Sequence, residues 1–310
     1  MEYGAHLPLI ELDAGSPSLA PLREYASTAA RLGYRSLSAN DHLLFRKPWL
    51  DGPTALAAVV DRAEQMTIAT TVCLPVIRGP VQAAKTLAAL DILSGGRLVV
   101  GIGAGSSERD YAAVGVPFEE RWPRFEEAAQ ALHALLHEDR QPFAGAFYST
   151  EDVVLEPTPV QRPGPPIWIG SWGSKPGLRR VARLADGWLA SAYNTTPDSF
   201  RAGRAYLEEQ LAARGRSADA FPNGLATMWL HVTERRATAE RLLSDVLAPM
   251  LNRPVDALRD LFLPIGGAEL CAERLSAFAE AGVQRVFVWP LGDELGQLAL
   301  FQEHVAPLVG

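Results

Sequence analysis

The feature that most constrains the fold is a regular alternation, along nearly the whole chain, of short apolar runs and longer amphipathic segments. The apolar runs predict eight strands, at 3–9, 34–39, 67–74, 97–103, 167–170, 187–191, 225–232 and 283–289. Residues 98–100 are apolar on both faces, which is typical of parallel strands that are covered by helices. Eight βα units in 310 residues fit a (β/α)8 barrel with inserted loops better than two open sheets.

The amphipathic segments predict helices at 19–32, 54–65, 81–93, 121–137, 177–185, 198–214, 238–250, 268–281 and 294–309. One proline-rich stretch, at about 141–166, interrupts the alternation. We interpret it as a surface insertion that carries a strand-like pair at 143–148 and 152–155. No linker with a shift in composition divides the chain, so the sequence predicts one domain over 1–310.

Composition narrows the class of protein. The net charge of −7 argues against nucleic acid or an anionic membrane as the main partner. No apolar run approaches the roughly 18 residues of a membrane span, and the first residues lack the basic start of a signal peptide. Two cysteines, Cys73 and Cys271, cannot build a disulfide framework or a zinc site on their own. We therefore expect a cytoplasmic enzyme or ligand binder.

A polar cluster follows the second predicted strand, at Asn40-Asp41-His42. In barrels of this kind the functional residues lie where strands end and βα loops begin. His42 would hydrogen-bond a ligand there, with Asp41 holding its tautomer or capping a following turn. The alternative is a loop turn with a solvated imidazole, and the spacing alone does not choose between the two.

Two further strand ends are rich in glycine. The run GIGAG at 101–105 lacks the third glycine of a dinucleotide fingerprint and stands in the fourth βα unit. It suits either a planar ring that approaches the backbone closely or a tight corner of the barrel. The run GSWGS at 170–174 precedes a helix, where backbone amides and hydroxyls suit a phosphate. Ser174 would also serve as an ordinary N-cap.

Three other features are given structural interpretations. His133 and His137 have the spacing of a zinc-binding helix, but no glutamate and no third ligand are evident, so we predict a solvated helix face and no metal. Glu108 and Asp110 lie in a charged loop and could serve as acids or bases, but such a loop is usually solvated, which is the expectation here. Trp172 and Trp289 fall near strand ends and are expected to wall a pocket.

Several of these runs resemble the bacterial-luciferase-like monooxygenase superfamily. The runs are TLAALDILSGGR at 86–97, GIGAG at 101–105, VGVPF at 114–118, PIWIG at 166–170 and ADGW at 185–188. They keep the family's order and cover most of the first 190 residues. The resemblance implies a TIM-like barrel that binds FMN or the deazaflavin coenzyme F420. Because Asn40-Asp41-His42 is similar to the Asp-His of the deazaflavin-using branch, F420 is favoured.

The resemblance also implies roles for individual residues. His42 is the expected catalytic residue and faces the reactive ring, with Asp41 among the cofactor-binding residues. The segment Thr71, Val72 and Cys73 matches the place where relatives carry a non-proline cis peptide behind the ring. Positions that hold the ribityl chain and phosphate match Gly103, Ala104, Gly105, Ser106, Gly170, Ser171, Trp172, Gly173 and Ser174.

One departure from the family concerns the substrate. Ser106 stands where the sugar-phosphate dehydrogenase branch has a glutamate acid, so a sugar phosphate is not expected. The predicted reaction is hydride transfer between F420 and a small, largely apolar organic substrate. The alternatives are an FMN-dependent monooxygenase that uses reduced flavin and O2, served by a flavin reductase, and a non-catalytic flavin-binding subunit. A homodimer is expected, since dimers are common in this superfamily.

Overall fold

The computed structural model describes residues 1–10 and 18–310. Its strands are β1 (Glu2–His6), β2 (Ser36–Ala39), β3 (Thr67–Thr70), β4 (Leu98–Ile102), β5 (Ile167–Gly170), β6 (Gly187–Ser191), β7 (Asn223–Val232), β8 (Ile265–Gly266) and β9 (Arg285–Pro290). Neighbouring strands run parallel, and β1 pairs with both β2 and β9 while β7 pairs with both β6 and β9. Eight strands therefore close into a ring, and the short β8 is added beside the end of β7. The predicted (β/α)8 barrel is confirmed.

The helices surround this ring and connect its strands. They are α1 (Leu19–Arg31), α2 (Gly52–Val59), α3 (Pro75–Arg78), α4 (Pro80–Leu93), α5 (Glu108–Ala113), α6 (Arg121–Leu136), α7 (Lys175–Leu184), α8 (Pro197–Ala212), α9 (Arg236–Arg241), α10 (Ala248–Leu251), α11 (Val255–Arg259), α12 (Ala268–Glu280) and α13 (Glu294–Leu300). A π-helical segment, Leu242–Leu247, joins α9 to α10, and a second, Phe301–Val305, extends α13. None of the described helices is both long and apolar enough to cross a membrane.

Polar residues set where several helices begin. Asp51 Oδ1 accepts a hydrogen bond from the Thr54 amide at 2.9 Å and caps α2. Thr196 and Ser199 form a reciprocal capping box at the start of α8. Such caps satisfy amides that have no partner within the helix. Because each cap is local in sequence, the helix starts were largely predictable.

The core lies in the layer between the strands and the helices. Leu87 of α4, Leu132 of α6 and Leu178 of α7 are fully buried. Inside the ring, space is so tight that a Cβ added at Gly101 would lie 2.0 Å from the Thr70 carbonyl oxygen. At Gly101, glycine is therefore needed for close approach of β3 and β4, which supports the tight-corner interpretation for this position.

The insertion differs from its prediction. Residues 137–166 form no helix or strand, and the predicted strand pair at 143–148 and 152–155 is wrong, since only an isolated Ala144–Ser149 bridge forms. The reason is a competing acceptor: the Glu127 carboxylate takes hydrogen bonds from the amides of 146, 147 and 148 at 2.7–3.1 Å. Those amides are therefore not available to a partner strand.

Three short helices, α3, α5 and α11, were not predicted. They are four, six and five residues long, which is too short to show a helical period in the sequence. The strands β1 and β3 are also shorter than predicted and end at His6 and Thr70. All eight barrel strands have their carboxyl ends at one rim, and the residues that follow Ala39, Thr70 and Ile102 lie there.

Candidate active site

His42 lies just after β2 at the carboxyl rim, and its side chain is 23% exposed. Its Nδ1 is 3.4 Å from Oδ2 of Asp110. Phe45 and Trp49 flank the ring, with centroid separations of 5.0 and 4.6 Å. The imidazole is therefore held between an apolar wall and a carboxylate, with part of its surface accessible to a ligand.

Asp110, in α5, is the carboxylate that orients His42. Its side chain is only 1% exposed, and Oδ1 accepts a hydrogen bond from the Leu44 amide at 2.9 Å. Burial raises the pKa of Asp110, but hydrogen bonds from His42 and the Leu44 amide outweigh burial and hold it below its usual value. The expectation of a solvated Asp110 is therefore wrong. The Ser107-x-x-Asp110 spacing, which is typical of a helix start, was the signal available in the sequence. In the structure, Ser107 Oγ accepts a hydrogen bond from the Asp110 amide at 3.2 Å.

Asp41 has a different partner from the one expected. Its two oxygens accept hydrogen bonds from Nε and Nη2 of Arg78 at 2.6 and 2.7 Å, and Oδ2 also accepts from the Leu74 amide at 3.2 Å. Arg78 also pairs with Asp51. Asp41 does not hold the tautomer of His42, so that prediction is wrong. It fixes α3 to the loop after β2, and its role toward a cofactor stays a prediction.

A cavity of about 540 Å³ opens beside His42. It is lined by Asp41, His42, Leu43, Asp51, Ile77, Arg78, Gln82, Lys85, Thr86 and Val114. Its lining includes the cationic groups of Arg78 and Lys85 as well as the imidazole of His42. None of the glycine-loop residues of 101–105 or 170–174 lines this cavity.

The segment after β3 connects three strand ends. The Thr71–Val72 peptide bond is cis, as the resemblance implies for this segment. The Thr71 amide donates to the Ala39 carbonyl and the Cys73 amide to the Gly101 carbonyl, both at 2.8 Å. Burial raises the pKa of the Cys73 thiol well above its usual value, so Cys73 is a neutral buried group.

Val72 brings two predicted cofactor loops together. A Cβ at Gly103 would lie 2.7 Å from Cγ2 of Val72, and a Cβ at Gly170 would lie 3.2 Å from its Cγ1. At Gly103 the space left by the absent side chain is therefore filled by Val72. Farther along the loop, Ala104 is buried, whereas Ser106 is exposed.

The loop after β5 leads into the N-terminus of α7. Ser174 Oγ accepts a hydrogen bond from the Gly177 amide at 3.3 Å, so Ser174 does cap this helix. Ser171 Oγ accepts from the Gly173 amide at 3.4 Å. Trp172 is 58% exposed and lines no part of the cavity beside His42. This loop presents amides and hydroxyls at a helix start, the arrangement that binds anions.

The interior of the barrel holds a histidine that the sequence analysis missed. His6, the last residue of β1, is fully buried and stacks on Trp289 at 3.7 Å between centroids. Trp289 in turn stacks on Trp229 at 4.1 Å. Burial lowers the pKa of His6 to about 3, against a weaker opposing effect of its hydrogen bond with the Leu7 carbonyl. The sequence analysis placed His6 in the middle of a strand at 3–9, and only the observed end of β1 at His6 brings it to the rim.

Unpaired polar atoms show that this end of the barrel suits a polar ring. Among the described residues, Oγ1 of Thr71 and Nε1 of Trp49 are buried and have no hydrogen-bond partner. Buried polar atoms are normally paired, so each of these atoms is available to a bound molecule. FMN and F420 both have ring donors and acceptors, and the residues present fit such a group.

The predicted histidine pair of α6 lies at the other end of the barrel. His137 is 9% exposed, and its Nε2 is 3.0 Å from the Pro165 carbonyl oxygen. His133 Nε2 is 2.7 Å from the Leu184 carbonyl oxygen. The prediction of a solvated helix face is therefore wrong, because the segments before β5 and β6 pack over this face of α6.

Most predicted site residues are connected by contacts. His42 contacts Asp110, whose neighbour Tyr111 donates a hydrogen bond to the Ala104 carbonyl at 2.5 Å. Val72 then joins Gly103 to Gly170. The strand ends of β2, β3, β4 and β5 thus form one continuous region, with the 171–174 loop at its far side.

Comparisons with known proteins agree with this architecture. The model of the family described as luciferase-like monooxygenase matches residues 5–285. An FMNH2-dependent dimethylsulfone monooxygenase from Pseudomonas putida is 31% identical over 195 residues, 62% of this chain and 51% of that protein. An F420-dependent glucose-6-phosphate dehydrogenase from Intrasporangium calvum is 32% identical over 185 residues, 55% of this chain and 53% of that protein.

A solved structure shares the fold over the full length. An F420-dependent secondary alcohol dehydrogenase in complex with an F420–acetone adduct superposes with a TM-score of 0.85 at 19% identity. The match covers 100% of this chain and 99% of that one. Since the family model spans nine-tenths of the sequence and the barrel is the same, the chain belongs to the luciferase-like monooxygenase family.

Proposed function

We propose that this protein transfers a hydride between F420 and a small, largely apolar organic substrate. The observation that carries the proposal is the His42–Asp110 pair, which lies at the carboxyl rim beside a cavity of about 540 Å³. When bound, F420 would supply the group that accepts or donates the hydride. The protein orients the substrate and the cofactor, excludes water from one side of His42 and moves one proton.

His42 is the proposed catalytic residue. With Asp110 ionised, the proton of the neutral imidazole lies on Nδ1 and points at Oδ2, which leaves the lone pair on Nε2. Nε2 can accept a proton from a substrate hydroxyl as it is oxidised and return it in the reverse reaction. Asp110 acts through His42 and is a positioning residue.

The apolar wall accounts for the kind of substrate. Phe45 and Trp49 pack edge-on to one another at 4.6 Å, and both contact the imidazole. They shield one side of His42 from water, which favours a substrate with apolar groups next to the reacting carbon.

We assign the cofactor to the region between the strand ends. Thr71, Val72 and Cys73 would lie behind the ring, with Gly105 and Ser106 beside the ribityl chain. A phosphate would bind where α7 begins, since Ser171, Gly173 and Ser174 present hydroxyls and an amide there. The remaining predicted positions, Gly103, Ala104, Gly170 and Trp172, would shape this region.

FMN is the second candidate cofactor, with reduced flavin and O2 giving a monooxygenase. The similarity to the Pseudomonas putida enzyme supports it, whereas the Asn40-Asp41-His42 strand end and the Intrasporangium calvum enzyme support F420. We favour F420, because the His42–Asp110 pair provides the proton transfer that alcohol–ketone chemistry requires. The FMN alternative would need a flavin reductase as partner.

The test is a pair of titrations of the full chain, with F420 and separately with FMN, followed by quenching of protein fluorescence. Tight F420 binding with weak FMN binding is expected, and alcohols, enones and imines are then screened for a change in F420 absorbance. Preference for FMN would overturn the cofactor assignment. Cofactor binding without turnover of any substrate would indicate a non-catalytic subunit.

Two variants test the roles of His42 and Asp110. His42→Ala is expected to lower kcat by about 100-fold or more while leaving the cofactor Kd nearly unchanged. Asp110→Asn keeps an acceptor for the Leu44 amide but removes the charge, so it should lower kcat and alter the pH–rate profile. His304→Ala, at an exposed histidine, is the matched control. Equal kcat in His42→Ala would remove His42 from the mechanism.

We further propose that residues 1–310 form one domain that acts in the cytoplasm as a homodimer. The closed barrel, with its last strand paired to its first, supports the single domain. Light scattering coupled to gel filtration at micromolar concentration tests the dimer, and a monomer mass would overturn it.

A further inference from the structure

A cluster of ligand-type side chains lies at the amino end of the barrel, away from the candidate active site. His133 is on the last turn of α6, His137 follows its end, and Asp186 directly precedes β6. One ring nitrogen of each histidine and one carboxylate oxygen of Asp186 lie within 4.8 Å of one another. The sequence could not show this arrangement, because Asp186 is 49 residues beyond His137.

The hydrogen bonds of the two histidines identify their tautomers. His133 Nε2 is 2.7 Å from the Leu184 carbonyl oxygen, and His137 Nε2 is 3.0 Å from the Pro165 carbonyl oxygen. A carbonyl only accepts, so both Nε2 atoms carry the proton and both Nδ1 atoms carry a lone pair. Nδ1 of His133 is fully buried and has no partner.

The carboxylate is held in a similar way. Asp186 Oδ2 accepts a hydrogen bond from the Ile167 amide at 2.9 Å, at the start of β5. The cluster therefore consists of electron-pair donors whose other polar atoms are already engaged by the backbone. An unpartnered buried acceptor beside a second imidazole and a carboxylate calls for a positively charged group between them.

The surroundings hold these ligands in place. Imidazoles that bind a metal usually donate their other N–H to a carbonyl or carboxylate, which is what Leu184 and Pro165 accept here. The chain also packs tightly on His137, since a Cβ at Gly164 would lie 2.7 Å from its Cδ2. The two rings have a centroid separation of 5.0 Å.

We propose that His133, His137 and Asp186 bind a divalent transition-metal ion of the zinc class, with water as the fourth ligand. Two imidazoles and a carboxylate are a ligand set that suits Zn²⁺. The edges of a tetrahedral zinc site are about 3.4 Å, so the ligand atoms must draw together from within 4.8 Å as the metal binds. The ion ties α6 to the starts of β5 and β6, and its role is stability of the barrel.

The test uses the full chain without an affinity tag, freed of metal by a chelator. Zinc is titrated against a chromophoric competitor, Co²⁺ is followed by its visible absorption, and thermal unfolding is measured with and without Zn²⁺. We expect one ion per chain, Co²⁺ bands of low coordination number, and an unfolding midpoint raised by Zn²⁺.

Variants identify the ligands. His133→Gln keeps an amide N–H for the Leu184 carbonyl, and Asp186→Asn keeps an acceptor for the Ile167 amide, so both should fold. Each is expected to lower the zinc affinity by more than about tenfold, whereas the exposed-site control His304→Gln should not. Absence of one-to-one zinc binding, or wild-type affinity in both variants, would overturn the proposal. Because the site is remote from His42, F420 and FMN titrations report separately on the proposed function.

Discussion

The buried imidazole of His6 makes the stability of the barrel depend on pH in a calculable way. In the unfolded chain a histidine titrates near pH 6.5, whereas burial lowers the pKa of His6 to about 3 in the folded protein. Below pH 6.5 the unfolded state therefore binds a proton that the folded state does not. The free energy of unfolding falls by about 1.4 kcal/mol per pH unit over this window, until the folded pKa is reached.

The perturbation is His6→Phe, which removes the titration and keeps a ring to stack on Trp289. Between pH 7 and pH 5, His6 should account for a loss of about 2 kcal/mol, that is 1.5 units below pH 6.5 at about 1.4 kcal/mol each. The variant should lack this part of the loss. Its absolute stability at pH 7 is not compared, since the hydrogen bond between Nδ1 and the Leu7 carbonyl is also removed.

The assay is urea unfolding followed by tryptophan fluorescence at pH 7, 6 and 5, with His304→Gln as the control for an exposed histidine. From pH 7 to pH 5, the unfolding free energy of wild type should fall by about 2 kcal/mol more than that of His6→Phe. The control should run parallel to wild type. Parallel curves for His6→Phe as well would refute the reasoning, because the imidazole would then titrate alike in both states.

Three further predictions concern packing and polar contacts. Asp91→Ala should lower the unfolding free energy, measured by urea unfolding, by about 3 kcal/mol, because Asp91 accepts hydrogen bonds from the amides of Val160 and Gln161 at 2.7 and 3.0 Å. A change under about 1 kcal/mol would contradict this. Gly101→Ala should abolish soluble expression, because the added Cβ would lie 2.0 Å from the Thr70 carbonyl oxygen. A normal yield and melting temperature of this variant would be inconsistent with that packing. Arg78→Met should cost about 3–5 kcal/mol, since it leaves the buried Asp41 carboxylate without its charged partner, and a melting temperature equal to wild type would refute it.

Much of the fold was predictable because it depends on local patterns. Strands such as 98–100 are apolar on both faces wherever helices cover a parallel sheet, and this signal survives without knowledge of distant contacts. Strand ends then pointed to His42 and to the 71–73 segment, because all parallel strands of a barrel end at one rim. The stretch predicted as an insertion lies within residues 137–166, which form no helix or strand, and its predicted strand pair was wrong.

Side-chain partners were not predictable in the same way. His42 is paired with Asp110, 68 residues away, and not with its sequence neighbour Asp41. The Glu127 carboxylate takes the amides that would have paired two strands of the insertion. In each case the carboxylate pairs with the groups that packing places nearest to it, and those distances were known only once the helices were packed on the barrel.

The sequence alone determined the barrel and the rim that carries the candidate site, because periodicity and strand ends are properties of short segments. Only the tertiary structure decided which ionisable groups meet. Closure of the ring buried His6 against Trp289, and packing of α6 on the starts of β5 and β6 brought Asp186 to His133. The energies of such contacts depend on separations of a few ångströms between residues that are far apart in sequence, and no local pattern encodes those separations.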